Sequence, residues 1–281
     1  MLEDRWLNLI TDNGTVDVQE EIPGLLFLGA RESLPVTITN NVKMQGVDGE
    51  LPGVINYDPF NLTVYLGFDG YDIEDVDLAE QKIRGLFNTR TRYFLVHSQM
   101  PGKKYAVDPP EIGPPEFLDA TALTFEITFN VYKGYSESLL TTDEMSLGNH
   151  TEWQFGNNMI AFDESDNYHH RTKTFRIYNG SDDIIDPTLH HILNITIHTN
   201  APNGFKLRNR KTGDVFEYYG SLLYTDTFML KGVYPVVNGK RVGADTNNSW
   251  ITLKKGFNDF IVTGDGITDF DITFSFPFIY R

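Results

Sequence analysis

Two adjacent histidine pairs, His169–His170 and His190–His191, with His198 close behind, are the residues of this chain best suited by type to hold a transition metal. Neighbouring residues in a strand face opposite ways, so neither pair easily gives two ligands to one ion. A site would need a further partner such as Asp186. Surface or interface histidines, able to change charge near neutral pH, are the expected reading. Carboxylates are abundant, among them Asp163, Glu164, Asp166, Asp182, Asp183, Asp186, Asp265, Asp269 and Asp271. With 39 acids in 281 residues, chance pairs are common, and a glycosidase-like couple is not singled out. A calcium loop at Asp163–Asp166 stays open as an alternative, although EF-hand spacing is absent. Trp153, Tyr168, Tyr218, Tyr219, Tyr224 and Trp250 could stack against sugars or fill a core. Trp250 is read as core, opening a strand through Leu253, and one of Tyr218 and Tyr219 must face outward. Phosphate loops, G-x-S-x-G and H-E-x-x-H are all missing. No enzyme, metal or cofactor is expected.

The elements that would carry these residues are mostly strands. Leu62–Phe68 and Tyr93–His97 are rich in β-branched and aromatic residues. In 123–131, Leu123, Phe125, Ile127, Phe129 and Val131 share one face. One helix stands out: Val76, Ala79, Ile83, Leu86 and Phe87 form an apolar stripe, with Asp77 read as N-cap and Glu80 completing a capping box. Val47–Tyr57 and Pro101–Pro115 are dense in Gly, Pro and Asp, so they are read as loops, edge strands or arms, and are expected to reach a neighbouring subunit. From Thr174 onward short strands alternate with turn signals at Asp186–Pro187, Lys211–Asp214, Asn238–Gly239 and Gly264–Gly266, as in a sandwich. The expected division is residues 1–138, an N-terminal α+β domain; 139–173, a connector; and 174–281, a jelly-roll-like β-sandwich.

Composition narrows the function classes. The net charge is −16, and residues 1–137 hold 22 acids against 10 bases. Such a chain is a poor match for nucleic-acid phosphates. Without cysteine there is no disulfide framework or thiolate chemistry. The start, MLEDRWLNLI, is not expected to be a signal peptide, and no apolar run is long enough to span a membrane.

Several short phrases occur in a telling order: Val47–Asp48–Gly49, Phe68–Asp69–Gly70, Ile83–Arg84–Gly85–Leu86–Phe87, Pro101–Gly102–Lys103–Lys104–Tyr105 and 129–136 (FNVYKGYS). In the last third come Gly180–Pro187, Thr212–Gly213–Asp214 and the W-x-x-L-x-x-G-x-N step of Trp250, Leu253, Gly256 and Asn258. Together they resemble the distal tail (Dit) proteins of long-tailed, non-contractile phages. The resemblance implies a mainly β protein: an N-terminal ring-forming domain with one helix and arm-like loops, and a C-terminal sandwich like galectins or carbohydrate-binding modules. It implies a structural virion protein of the tail tip, made in the host bacterial cytoplasm. Its partners would be itself in a hexameric ring, the tail tube protein, the tail-associated lysin or baseplate hub and, in some relatives, a receptor-binding protein. Asp48, Gly49, Pro101, Gly102, Lys103 and Tyr105 would lie at the interface between subunits. The alternative is a carbohydrate-binding or receptor-binding module for host-surface glycans.

Overall fold

The computed structural model describes residues 5–144, 158 and 168–281. The chain forms two compact units, Met1–Leu139 with Arg281, and Leu140–Tyr280. Trp153, Phe155, Asp163, Glu164 and Asp166 lie outside the described residues. So do the calcium-loop alternative and most of the expected connector.

The first unit contains β1 (Leu7–Thr11), β2 (Gly14–Asp17), the short α1 (Val18–Glu21), β3 (Leu25–Glu32), β4 (Thr37–Thr39), β5 (Ile55–Tyr57) and β6 (Phe60–Asp69). They are followed by α2 (Ile73–Phe87), β7 (Tyr93–His97), β8 (Lys103–Val107), β9 (Glu111–Ile112), β10 (Glu116–Phe117), β11 (Ala122–Val131) and β12 (Ser136–Ser138). Seven strands hydrogen-bond in the order β2-β1-β7-β8-β11-β6-β3, every pair antiparallel. β6 and β11 pair over their full length, from Phe60↔Val131 to Asp69↔Ala122. Leu62, Val64 and Leu66 meet Phe125, Ile127 and Phe129 on the buried face, as the period-2 alternation requires. Removing one such phenylalanine from water is worth about 2–3 kcal/mol.

The helix closes this core with Val76, Ala79, Ile83 and Phe87. Its start is earlier than the expected Asp77 cap. Asp72 is the N-cap, its carboxylate accepting from the Asp75 N–H at 2.9 Å, and Asp75 in return accepts from the Tyr71 N–H at 3.1 Å. This reciprocal pair satisfies N–H groups that the helix cannot, and Glu74 and Asp75 suit the positive end of its dipole. At the far end Arg84 pairs with Glu80 one turn back.

The second unit holds β13 (His169–His170), β14 (Thr174–Asn179), β15 (Asn194–Asn200), β16 (Phe205–Asn209), β17 (Val215–Tyr218), β18 (Phe228–Lys231), β19 (Tyr234–Val237), β20 (Lys240–Arg241), β21 (Gly256–Thr263), β22 (Thr268–Ser275) and β23 (Ile279–Tyr280). A six-stranded sheet, β13-β22-β15-β18-β19-β20, and a four-stranded one, β14-β21-β16-β17, make a sandwich. Phe205, Phe216, Phe228, Phe260 and Phe274 fill it, with neighbouring rings 5.0–6.2 Å apart. Asn238 and Gly239 both have positive φ, 48° and 80°, as the expected hairpin turn demands. Leu140–Glu144 belong to this unit: the buried Thr142 hydroxyl donates to the Phe274 carbonyl at 2.8 Å and accepts from the Phe276 N–H at 3.2 Å.

A buried asparagine explains the W-x-x-L-x-x-G-x-N step. The Asn258 amide donates to the carbonyls of Lys254 and Gly256 at 2.7 and 2.9 Å, and its oxygen accepts from the Lys254 N–H at 3.0 Å. Asn209 donates to that same oxygen at 3.1 Å and to the Thr252 carbonyl at 2.8 Å. Gly256 supplies the left-handed bend, with φ of 81°. The motif closes a loop over the sandwich core.

Candidate assembly surfaces

Asp48 and Gly49 sit at the tip of an arm that is longer and more regular than the sequence suggested. β4 and β5 pair as Thr37↔Tyr57, Ile38↔Asn56 and Thr39↔Ile55. The ladder continues through Asn40 N–H to the Val54 carbonyl at 3.2 Å and reciprocal Val42–Leu51 bonds of 3.0 Å. Positive φ at Gly46 and Gly49 turns the tip. Gly53 is compulsory: a Cβ there would lie 1.7 Å from the Asn40 carbonyl oxygen. Lys43 and Glu50 form a 3.6 Å ion pair across the hairpin.

This arm is almost wholly exposed between Arg31 and Tyr57. Leu34 is 86% and Val54 69% accessible, and Val36, Val42, Leu51 and Ile55 are also exposed. A lone two-stranded hairpin is marginal in water. Contiguous exposed apolar surface marks an interaction site. The root is well held: Ser33 N–H donates to the Asn61 carbonyl at 2.8 Å, Asp58 N–H to that of Val36 at 2.9 Å, and the Arg281 guanidinium lies 3.5 Å above Tyr57.

Pro101–Pro115 is not an arm. Pro101 and Gly102 form the tight turn from β7 to β8, and Lys103 is the first residue of β8. β8 is interior, bonded to β7 on one side and to β11 and β12 on the other. Tyr105 is 0% exposed and has no surface to lend a neighbour. Its hydroxyl donates to Glu32, at the root of the arm, at 2.5 Å, and burial, followed by the charge of Glu32, pushes the phenol well above its usual pKa. Beyond Val107 the chain folds back as β9 and β10 along β11. Two lysines and flanking prolines hide the strand in the sequence.

His97 stacks on Tyr105, with centroids 5.5 Å apart, and neither ring nitrogen has a hydrogen-bond partner. Burial, helped by the Lys103 charge, lowers its pKa to about 4. Among the described residues no three His, Asp or Glu side chains gather into a metal site. His169 is held by Asp271 at 2.8 Å, His170 stacks on Phe175, and buried His191 accepts from the Asp186 N–H at 3.1 Å.

Among the aromatics, Tyr168 and Tyr218 are buried and Tyr219 is 58% exposed. Trp250 corrects the expectation of a core residue. It is 39% exposed and outside any strand, while Ile251 and Leu253 point into the core at 0%. Thr252 between them is buried as well, its hydroxyl donating to Asp214 at 2.5 Å, so the segment has no period-2 alternation. The arm's first half, Leu34–Thr39, was missed. Its apolar–polar alternation was a legible strand signal, but one that usually marks a half-buried strand.

No described helix is long and apolar enough to cross a membrane. No curated protein sequence matches the chain significantly. Residues 12–131 match the phage tail protein RIFT-related domain family. The Dit (gp 19.1) protein of SPP1, described as a paradigm of the hub adsorption apparatus in Gram-positive infecting phages, shares 13% identity and a TM-score of 0.65 over 97% of this chain and 99% of that one. A chain of the phage p2 baseplate in its activated conformation with Ca covers 98% of this chain and 98% of its own length at 10% identity, but its TM-score of 0.40 is too low to argue from. Residues 12–131 thus resemble the phage tail protein RIFT-related domain family, and the chain as a whole has the mainly β fold of the SPP1 Dit protein.

Proposed function

We propose that this protein is a structural component of the distal tail of a siphophage, forming a six-membered ring between the tail tube and the tail-associated lysin or baseplate hub. The observation that carries this reading is the arm of residues 33–57. It is paired, firmly rooted and apolar on its surface, and among the described residues nothing covers that surface. A head-to-tail contact in which each subunit lends its arm to the next closes into a ring when the rotation is right. Asp48 and Gly49 at the tip then reach the neighbour, whereas Tyr105 supports the arm root from inside the core. The sandwich unit offers a platform for peripheral or receptor-binding proteins.

Mass measurement of the purified assembly, read with negative-stain images, tests the ring. Replacing Val42–Leu51 by a short Gly-Ser turn should abolish closure and leave the subunit folded. Rings that still form with the shortened arm refute the role of the arm, and absence of the protein from purified virion tails refutes the assignment.

A second reading has one observation in its favour. Tyr219, Tyr224 and Trp250 present aromatic surface to solvent on the sandwich unit, as glycan binding needs. Glycan-array binding that Trp250→Ala abolishes without lowering the melting temperature would favour a carbohydrate-binding module.

A further inference from the structure

Asn13, Asn179, Asn203 and Asn238 each precede a glycine. Glycine has no side chain to keep its backbone nitrogen away from the asparagine before it, so this pair is where an amide is lost most readily. The glycine nitrogen attacks the asparagine Cγ, the Cγ–Nδ2 bond breaks, and the displaced nitrogen leaves as ammonia with the proton of the glycine N–H. A succinimide ring results, and water opens it at either carbonyl to give aspartate or isoaspartate. The chemistry needs an amide free to turn and room for the ring. Three of the pairs lack one or both. Asn179 is 0% exposed, donates to the Asp183 and Leu253 carbonyls at 3.2 and 2.9 Å, and accepts from the Ser181 N–H at 3.0 Å. Asn238 is clamped at its turn, accepting from the Thr227 N–H at 2.9 Å and donating to Asp226 at 2.8 Å. Asn203 is exposed, but Gly204 packs so tightly against β17 that a Cβ there would lie 2.0 Å from the Tyr218 carbonyl oxygen. Asn13 differs from all three. It is exposed at the tip of the β1–β2 hairpin, its side-chain amide has no partner among the described residues, and nothing lies within 4 Å of where a Gly14 Cβ would stand.

We propose that Asn13 is a site of spontaneous modification, converted through a succinimide with Gly14 to aspartate and isoaspartate, while the other three asparagines stay intact in the folded chain. Water is the only co-reactant. The place gives the products weight. Asn13 lies in the turn that joins β1 to β2, and among the described residues β2 pairs with β1 alone, from Thr11↔Gly14 to Asn8↔Asp17. Isoaspartate carries the main chain through its own Cβ, so it lengthens this turn by a methylene and disturbs a register that no further strand enforces. Either product also adds a negative charge to residues 6–30, which hold Asp12, Asp17, Glu20 and Glu21 and neither lysine nor arginine. The proposal is independent of the ring.

Incubation of the folded full chain at mildly alkaline pH in heavy-oxygen water, followed by peptide mapping with electron-transfer fragmentation, tests it. Residue 13 should acquire the label as a mixture of aspartate and isoaspartate. Freeing Asn238 means breaking two hydrogen bonds, so Asn13 should react about tenfold faster or more. The same chain unfolded in urea should convert Asn13, Asn203 and Asn238 at similar rates, because only the fold distinguishes them. Isoelectric focusing should show an acidic band that grows with time in the wild type. Asn13→Gln should remove that band, since the six-membered ring a glutamine must form closes far more slowly. Equal folded-state rates at Asn13 and Asn238, a folded Asn13 that stays intact while the unfolded chain converts, or an acidic band that persists in Asn13→Gln overturns the proposal.

Discussion

His97 should make the N-terminal unit sensitive to acid. The imidazole is 3% exposed, sits between Phe27 and Tyr105, and has no hydrogen-bond partner for either nitrogen. Its pKa falls from 6.5 to about 4 because burial disfavours the charged ring and Lys103 adds repulsion. A histidine with a depressed folded pKa contributes stability that is complete above 6.5 and is lost as the pH falls toward 4, because the unfolded chain takes the proton first. At about 1.4 kcal/mol per pH unit, roughly 2.5 kcal/mol should disappear between pH 7 and pH 4.5. Hydrogen exchange of the β7 and β8 amides reads this unit apart from the sandwich. His97→Leu keeps a similar volume and removes the titration. Carboxylates shared by the two proteins cancel in the difference, so the wild type should lose about 2.5 kcal/mol more than the variant over this range. Equal pH dependence of wild type and His97→Leu would refute the reasoning.

Three further outcomes are expected. Gly53→Ala, which drives a Cβ into the Asn40 carbonyl, should disrupt the arm and ring closure while leaving the melting of the N-terminal core unchanged in calorimetry. Asn258→Leu strips the Lys254 and Gly256 backbone groups and the Asn209 amide of their partner, and should cost the sandwich about 3 kcal/mol in denaturant titration. Trp250→Ala should cost only about 1–2 kcal/mol, below the ~3–5 kcal/mol of emptying a core aromatic site, because the indole is partly solvated.

Elements with one solvated face were legible in the sequence. The alternation of 123–131 and the stripe from Val76 to Phe87 each fix which side chains enter the core, and both did so as expected. The misreadings share a cause. In β8 Tyr105, Ala106 and Val107 are buried in succession, so both of its faces are covered there and no period shows. The helix start was misplaced because Asp72–x–x–Asp75 and Asp77–x–x–Glu80 are equivalent as local patterns, and only the Gly70 turn selects the first. There a Cβ would lie 2.9 Å from the Phe68 ring. The arm was found by its tip and missed along its stem. Nothing local tells a strand that will be buried by another chain from one buried by its own.

The hairpin also has a consequence for how many copies can meet. Among the described residues β4 and β5 bond to each other and to no other strand, so each arm presents two unpaired backbone edges. Such edges invite pairing with any strand they meet and are hazards for a free subunit. In an open arc, the first and last members always retain an unmatched arm or an unmatched acceptor, whatever the number between them. Closure is the one arrangement in which the tally of donors and acceptors comes out even. In the proposed ring, closure would turn a sticky strand edge from a route to aggregation into the contact that joins neighbours, and the rotation between them would set their number.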